Sequence, residues 1–179
     1  MWPFRKKKIA VTTDEFVAAL LEFRKKDKKD FLAELQKQAE QNWKLETGEI
    51  TVMANEVVIA DLWILSKALM SDKRVLDVLH DKYFSIFVNL GKTQEEKKDL
   101  LSRAQSDLHE RYDVYYKAWE ADMKPDHWMN LASEMARFFF PNQVNPGLNA
   151  FLTFVIHTRY FAFFVSICKF RSNFQIVDP

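Results

Sequence analysis

Glycine and proline are almost missing from this chain, and that scarcity constrains its fold more than any other feature. The 179 residues include three glycines, Gly48, Gly91 and Gly147, and five prolines, Pro3, Pro125, Pro141, Pro146 and Pro179; ordinary usage is roughly 7% and 5%. Hairpin turns and phosphate-cradling loops rely on residues that tolerate positive φ. Their shortage argues against all-β sandwiches and against Rossmann or P-loop nucleotide binders. The reading that remains is an all-α fold, a single-domain bundle of about six or seven helices.

Helix-start signals fall where these residues divide the chain. Thr12 with Glu15 and Thr93 with Glu96 have the spacing of capping boxes, in which hydroxyl and carboxylate each accept a backbone N–H that the first turn leaves open. Ser71 or Asp72, Asp126, and Asn145 before Pro146 offer further starts. The pattern predicts helices near 12–26, 28–45, 50–70, 72–90, 93–123, 126–139 and 146–170. The first two can equally be one helix, interrupted only by a charged run. Residues 1–11 read as a basic-aromatic N-terminal segment and 12–179 as the bundle domain. Leu101, Ala104, Leu108, Tyr112, Tyr115 and Trp119 form one apolar stripe at spacings of three and four. In segment 50–70, 15 of 21 residues are apolar; too few polar positions remain for a solvent face, so it belongs near the centre.

Charge and cysteine content narrow the function classes. Twenty-six basic and 25 acidic residues give a net charge of +1, without the basic excess that phosphate neutralisation requires, so nucleic acid is not the expected partner. The single cysteine, Cys168, cannot form an intramolecular disulfide. Its neighbours Val165, Ile167 and Phe170 suggest a buried, inert thiol, and a cytoplasmic setting fits best. The N-terminal run Trp2, Phe4, Arg5, Lys6, Lys7 and Lys8 combines aromatics with cations, a composition suited to weak, reversible contact with an anionic membrane.

The composition shifts late in the chain. Only seven charged residues lie within 126–179, whereas seven aromatics lie within 147–170 alone. That last helix is long enough to span a bilayer, yet Arg159 stands in its middle and a central arginine costs about 2.5–3.5 kcal/mol on insertion scales. The aromatic helix therefore belongs at the centre of the bundle or at an interface.

Few residues carry a chemical signal. Asp61 lies among Val57, Val58, Ile64 and Leu65, and Arg159 among Val155, Ile156, Ala162 and Phe163. Each charge sits on an apolar helix surface and needs a partner there, so the two are expected to pair, with Glu56 as the alternative acid. A structural ion pair is the plainer reading than a catalytic acid. Asp77, His80 and Asp81 approach a Glu-x-x-His metal motif, but the second motif of a di-metal bundle is missing. His80 and the His109–Asp113 pair lie opposite the apolar stripes, where they would face water. No nucleophile elbow and no activated thiol is legible.

The expectation is a non-catalytic helical protein with no cofactor and no metal, acting through contacts with a protein partner or with its own copy. The alternative is a peripheral membrane or hydrophobic-ligand protein, using the N-terminal segment and a cavity lined by Phe151, Phe154, Phe161 and Phe164.

Overall fold

A computed structural model of the protein describes residues 8–38, 47–120, 127–142 and 146–177, without the side chains of residues 26–28, 36, 38, 47, 49 and 50. Six helices account for nearly all of them: α1 (Thr13–Gln38), α2 (Thr47–Ala68), α3 (Lys73–Leu90), α4 (Gln94–Glu120), α5 (His127–Phe139) and α6 (Pro146–Ser172). The fold is an all-α single domain. The segments expected near 12–26 and 28–45 join into the continuous α1 as far as Gln38, residues 39–45 lying outside the described residues, because the charged run between them breaks apolar periodicity without supplying a helix breaker.

Both capping boxes are formed. Thr12 N–H donates to Glu15 Oε2 at 2.8 Å and Glu15 N–H donates back to Thr12 Oγ1 at 3.3 Å. At α4, Thr93 N–H and Lys92 N–H both donate to Glu96 Oε2, and Glu96 N–H donates to Thr93 Oγ1. Gly91 allows the tight entry into α4, since a Cβ there would lie 2.7 Å from Lys97 N. Asp72 precedes α3 without a side-chain cap; its carboxylate instead accepts Arg171 Nη2 at 3.2 Å. The starts read at Asp126 and Asn145 lie outside the described residues.

Two three-residue strands were not expected from the sequence. β1 (Ile9–Val11) and β2 (Phe174–Ile176) pair in parallel, Ile9 opposite Phe174 and Val11 opposite Ile176. Three residues are too few for a legible alternation, and a parallel partner across the whole chain leaves no turn signal. The pairing draws Ile9–Val11 into the folded unit. Phe16, Phe23, Phe170 and Phe174 close this end with ring centroids 4.9–5.9 Å apart.

The centre belongs to α2. Every residue from Ile59 to Ser66 is buried, and the helix packs against α1, α4, α5 and α6. By contrast α6 buries Leu152, Ile156, Tyr160, Phe163 and Ile167 on one side and leaves its opposite side open. The aromatic helix thus forms a wall of the bundle, not its axis.

Candidate functional site

Two carboxylates are buried along α2, one turn and a half apart, and each is held by arginine. Asp61, fully buried, accepts Arg24 Nε at 3.0 Å on Oδ2, while Arg159 Nη2 lies 3.0 Å from Oδ1. The three elements α1, α2 and α6 are thereby tied through one carboxylate. The guanidinium of Arg159 also packs against the rings of Phe31, Tyr160 and Phe163, 4.3–4.7 Å from their centroids. These rings offer the guanidinium a favourable π face. Arg24 escaped the sequence reading because it opens the charged run 24–30. Its position four residues after Leu20, on the buried phase of α1, was the signal that could have found it.

Glu56 does not serve Arg159. Its carboxylate takes a two-pronged contact from Arg111 of α4, Nε to Oε2 and Nη2 to Oε1, both at 3.0 Å. Five residues on from Glu56, Asp61 points toward different neighbours. Partial burial opposes the charge on Arg111, but the hydrogen bond and charge of Glu56 outweigh it and raise the guanidinium pKa. Arg111 also stacks on Phe138 at 4.0 Å.

A third polar group joins α2, α3 and α4. Ser66 Oγ donates to the Leu62 carbonyl and lies 3.2 Å from the Tyr112 hydroxyl, which lies 3.0 Å from His80 Nε2. His80 Nδ1 stands 2.8 Å from the Leu76 carbonyl; a carbonyl can only accept, so that nitrogen carries the hydrogen. His80 is therefore half-buried and engaged on both nitrogens, not facing water as its sequence position suggested. His109 and Asp113 stay exposed, 3.8 Å apart. Among the described residues no three histidine, cysteine or acidic side chains converge on a metal-sized site. His157 stacks on Phe161, and His127 packs on Trp119 at 4.3 Å.

At the end of α2, Lys67 Nζ sits over Tyr116, Trp119 and Trp63, 4.4–5.5 Å from their centroids. Burial lowers its pKa, and the charge of Glu120 partly offsets that. Burial also lifts Tyr83 to about 12, with Asp107 and Glu56 adding to the effect. Tyr112, Tyr115 and Tyr160 are likewise raised, chiefly by burial.

The phenylalanines assigned to a ligand cavity lie elsewhere. A cleft of about 990 Å³ opens between α4, α5 and α6, but its lining includes Val114, Lys117, Ser133, Arg137, Phe138 and Thr153, and none of the four. Phe151, Phe154 and Phe161 are instead on the surface, 49%, 60% and 47% exposed, and Phe164 is half-buried. Phe161 and Phe164 rest edge-on against Trp128. The side chain of α6 that faces the bundle is thus a different set of residues from the aromatic set that faces out.

Cys168 is exposed, contrary to the buried thiol expected. It stands three residues after Val165, which is 48% exposed, on the open side of α6, while Ile167 turns inward. One exposed stripe runs Phe151, Phe154, Thr158, Phe161, Val165, Cys168, at alternating spacings of three and four, with the small side chains of Ala150, Ala162 and Ser166 exposed beside it. Thr158 contributes its methyl, because its hydroxyl donates to the Phe154 carbonyl at 2.9 Å. No exposed position of α6 from Pro146 to Cys168 carries a charge. The helix is long and apolar enough to cross a membrane by length and composition, and 28% of that stretch is buried in the bundle. Of the N-terminal residues read as a membrane contact, Trp2, Phe4, Arg5, Lys6 and Lys7 lie outside the described residues and Lys8 is exposed.

No protein family, no curated protein and no solved structure matches the chain.

Proposed function

We propose that the protein is a non-catalytic helical docking module, which uses the open face of α6 to bind an uncharged, apolar helix of another protein subunit. The observation that carries this is the continuous exposed stripe from Phe151 to Cys168, with its heptad spacing and lack of charge. Isolated apolar residues are ordinary on a protein surface, but a contiguous patch is not. A period of 3.5 is the one that keeps a seam facing a partner helix. The buried carboxylates have the character of structural ties: each is already held by guanidinium, and neither lines the cleft. A net charge of +1 gives no drive toward nucleic acid, and an exposed unpaired thiol suits a reducing compartment.

The competing occupant is a membrane surface. Replacing Phe154 by a photo-crosslinking phenylalanine analogue separates the two in producing cells. Discrete protein adducts, lost when Phe161→Glu is added and absent when the analogue replaces exposed Glu95 on α4, support docking to protein. Label recovered in lipid, or no adduct at Phe154, overturns it.

A further inference from the structure

We infer that the helix docked on α6 is α6 of a second copy of this chain, laid antiparallel to the first. This rests on the docking reading above and names its partner. The six stripe positions divide into two heptad sets, Phe151, Thr158 and Val165 at one and Phe154, Phe161 and Cys168 at the other. In an antiparallel pair, residues of one set meet residues of the other across the two-fold axis. Placing the axis between Thr158 and Phe161 sets Phe151 against Cys168 of the partner subunit, Phe154 against Val165 of the partner subunit and Phe161 against Thr158 of the partner subunit. Every phenylalanine then faces a smaller side chain, and every stripe position is used.

A parallel pair does worse with the same residues. Each layer would join a residue to its own copy, stacking phenylalanine on phenylalanine at three levels and leaving Thr158, Val165 and Cys168 to face themselves. Bulky layers would hold the helices apart where the small ones need them close, and such voids and overpacking are both destabilising. Self-pairing also costs no like-charge repulsion, since the stripe has no charge to oppose.

The stripe brings the pair close to the lower size limit of specific interfaces. A half-exposed phenylalanine offers about 100 Å² of the roughly 200 Å² a buried one covers. Three in each copy give the pair ~600 Å², and the smaller stripe residues carry it toward the ~1,200 Å² at which specific interfaces begin. Phe161 is pre-positioned by Trp128 and His157, which reduces the ordering cost of binding.

Sedimentation of the wild-type chain over a concentration series should show a monomer–dimer equilibrium, and Phe154→Glu, checked for intact helicity, should weaken it ~100-fold or more. Mild oxidation with copper–phenanthroline then reads the geometry. Phe151→Cys in the presence of Cys168 should give a disulfide-linked dimer. Wild type, in which the two Cys168 would lie ~26 Å apart along the axis, should not, and neither should Phe151→Cys combined with Cys168→Ser. Efficient linkage of wild type through Cys168 alone means parallel pairing and overturns the proposal. A wild-type chain that stays monomeric at millimolar concentration overturns self-pairing altogether; protein adducts at Phe154 would then leave docking to a different protein standing, and their absence would remove both readings.

Discussion

Neutralising Asp61 should destabilise this protein more than removing either of the arginines that hold it. The carboxylate carries one negative charge between two guanidinium groups whose side chains are 14% and 9% exposed. Asp61→Asn keeps the size but strands the buried guanidinium of Arg24 and takes a carboxylate away from Arg159, and stranding one member of a buried pair costs about 3–5 kcal/mol. For a domain of this length each kcal/mol moves Tm by about 2–4 °C, so the midpoint should fall by roughly 6–20 °C. Arg159→Met is milder. It leaves a neutral Arg24–Asp61 pair and puts an apolar side chain among Phe31, Tyr160 and Phe163, so the cost should stay below about 2 kcal/mol, the lost ion pair being offset by a desolvation that is no longer needed. Replacing all three by Arg24→Met, Asp61→Leu and Arg159→Met should recover wild-type stability or exceed it, as apolar substitution of buried triads can. Urea unfolding followed by far-UV circular dichroism, with equal m values across the series, measures each difference. An Asp61→Asn cost under about 1 kcal/mol, or an Arg159→Met cost as large as that of Asp61→Asn, would refute the charge accounting.

Two further expectations follow from the same contacts. Arg111→Met should cost about 3 kcal/mol, because Glu56 stays buried without its guanidinium; adding Glu56→Gln should recover part of that loss in the same urea assay, and additive losses would contradict it. Tyr83, Tyr112, Tyr115 and Tyr160 all have raised pKa values, so the native state holds their protons more tightly than the unfolded chain. Stability from Tyr83 is therefore complete below the ordinary tyrosine pKa of about 10 and is lost as pH rises through about 12. Absorbance at 295 nm should show these tyrosines ionising together with the loss of helical dichroism; ionisation of all four with the helices intact would disprove their burial.

The legible part of the fold was the part written in short spacings. Thr12 with Glu15 and Thr93 with Glu96 announce helix starts because the two groups that bond each other are three residues apart. Asp61 among Val57, Val58, Ile64 and Leu65 announces a buried acid by the same local logic, and Arg159 a buried base. Arg24 was hidden because a charged run reads as solvated, and only the packing of α1 on the core shows that its first member turns inward. Cys168 was misplaced because its neighbours in sequence are apolar, although helical geometry turns it about 100° away from the inward-facing Ile167.

By itself, then, the sequence determined an all-α domain, the existence of its helices, the central place of α2 and the need for cationic partners on its acids. Those properties follow from backbone conformational preference and from the cost of burying charge, both of which act within a few residues. Tertiary structure alone decided that Glu56 belongs to Arg111 while Asp61 is shared by Arg24 and Arg159, that Ile9–Val11 pairs with Phe174–Ile176, and which side of α6 stays open. The last was beyond any periodicity, because α6 is apolar on every side. Only the surfaces offered by α1, α2 and α5 select Leu152, Ile156, Tyr160, Phe163 and Ile167 for burial, and that selection leaves the charge-free stripe from Phe151 to Cys168 outside.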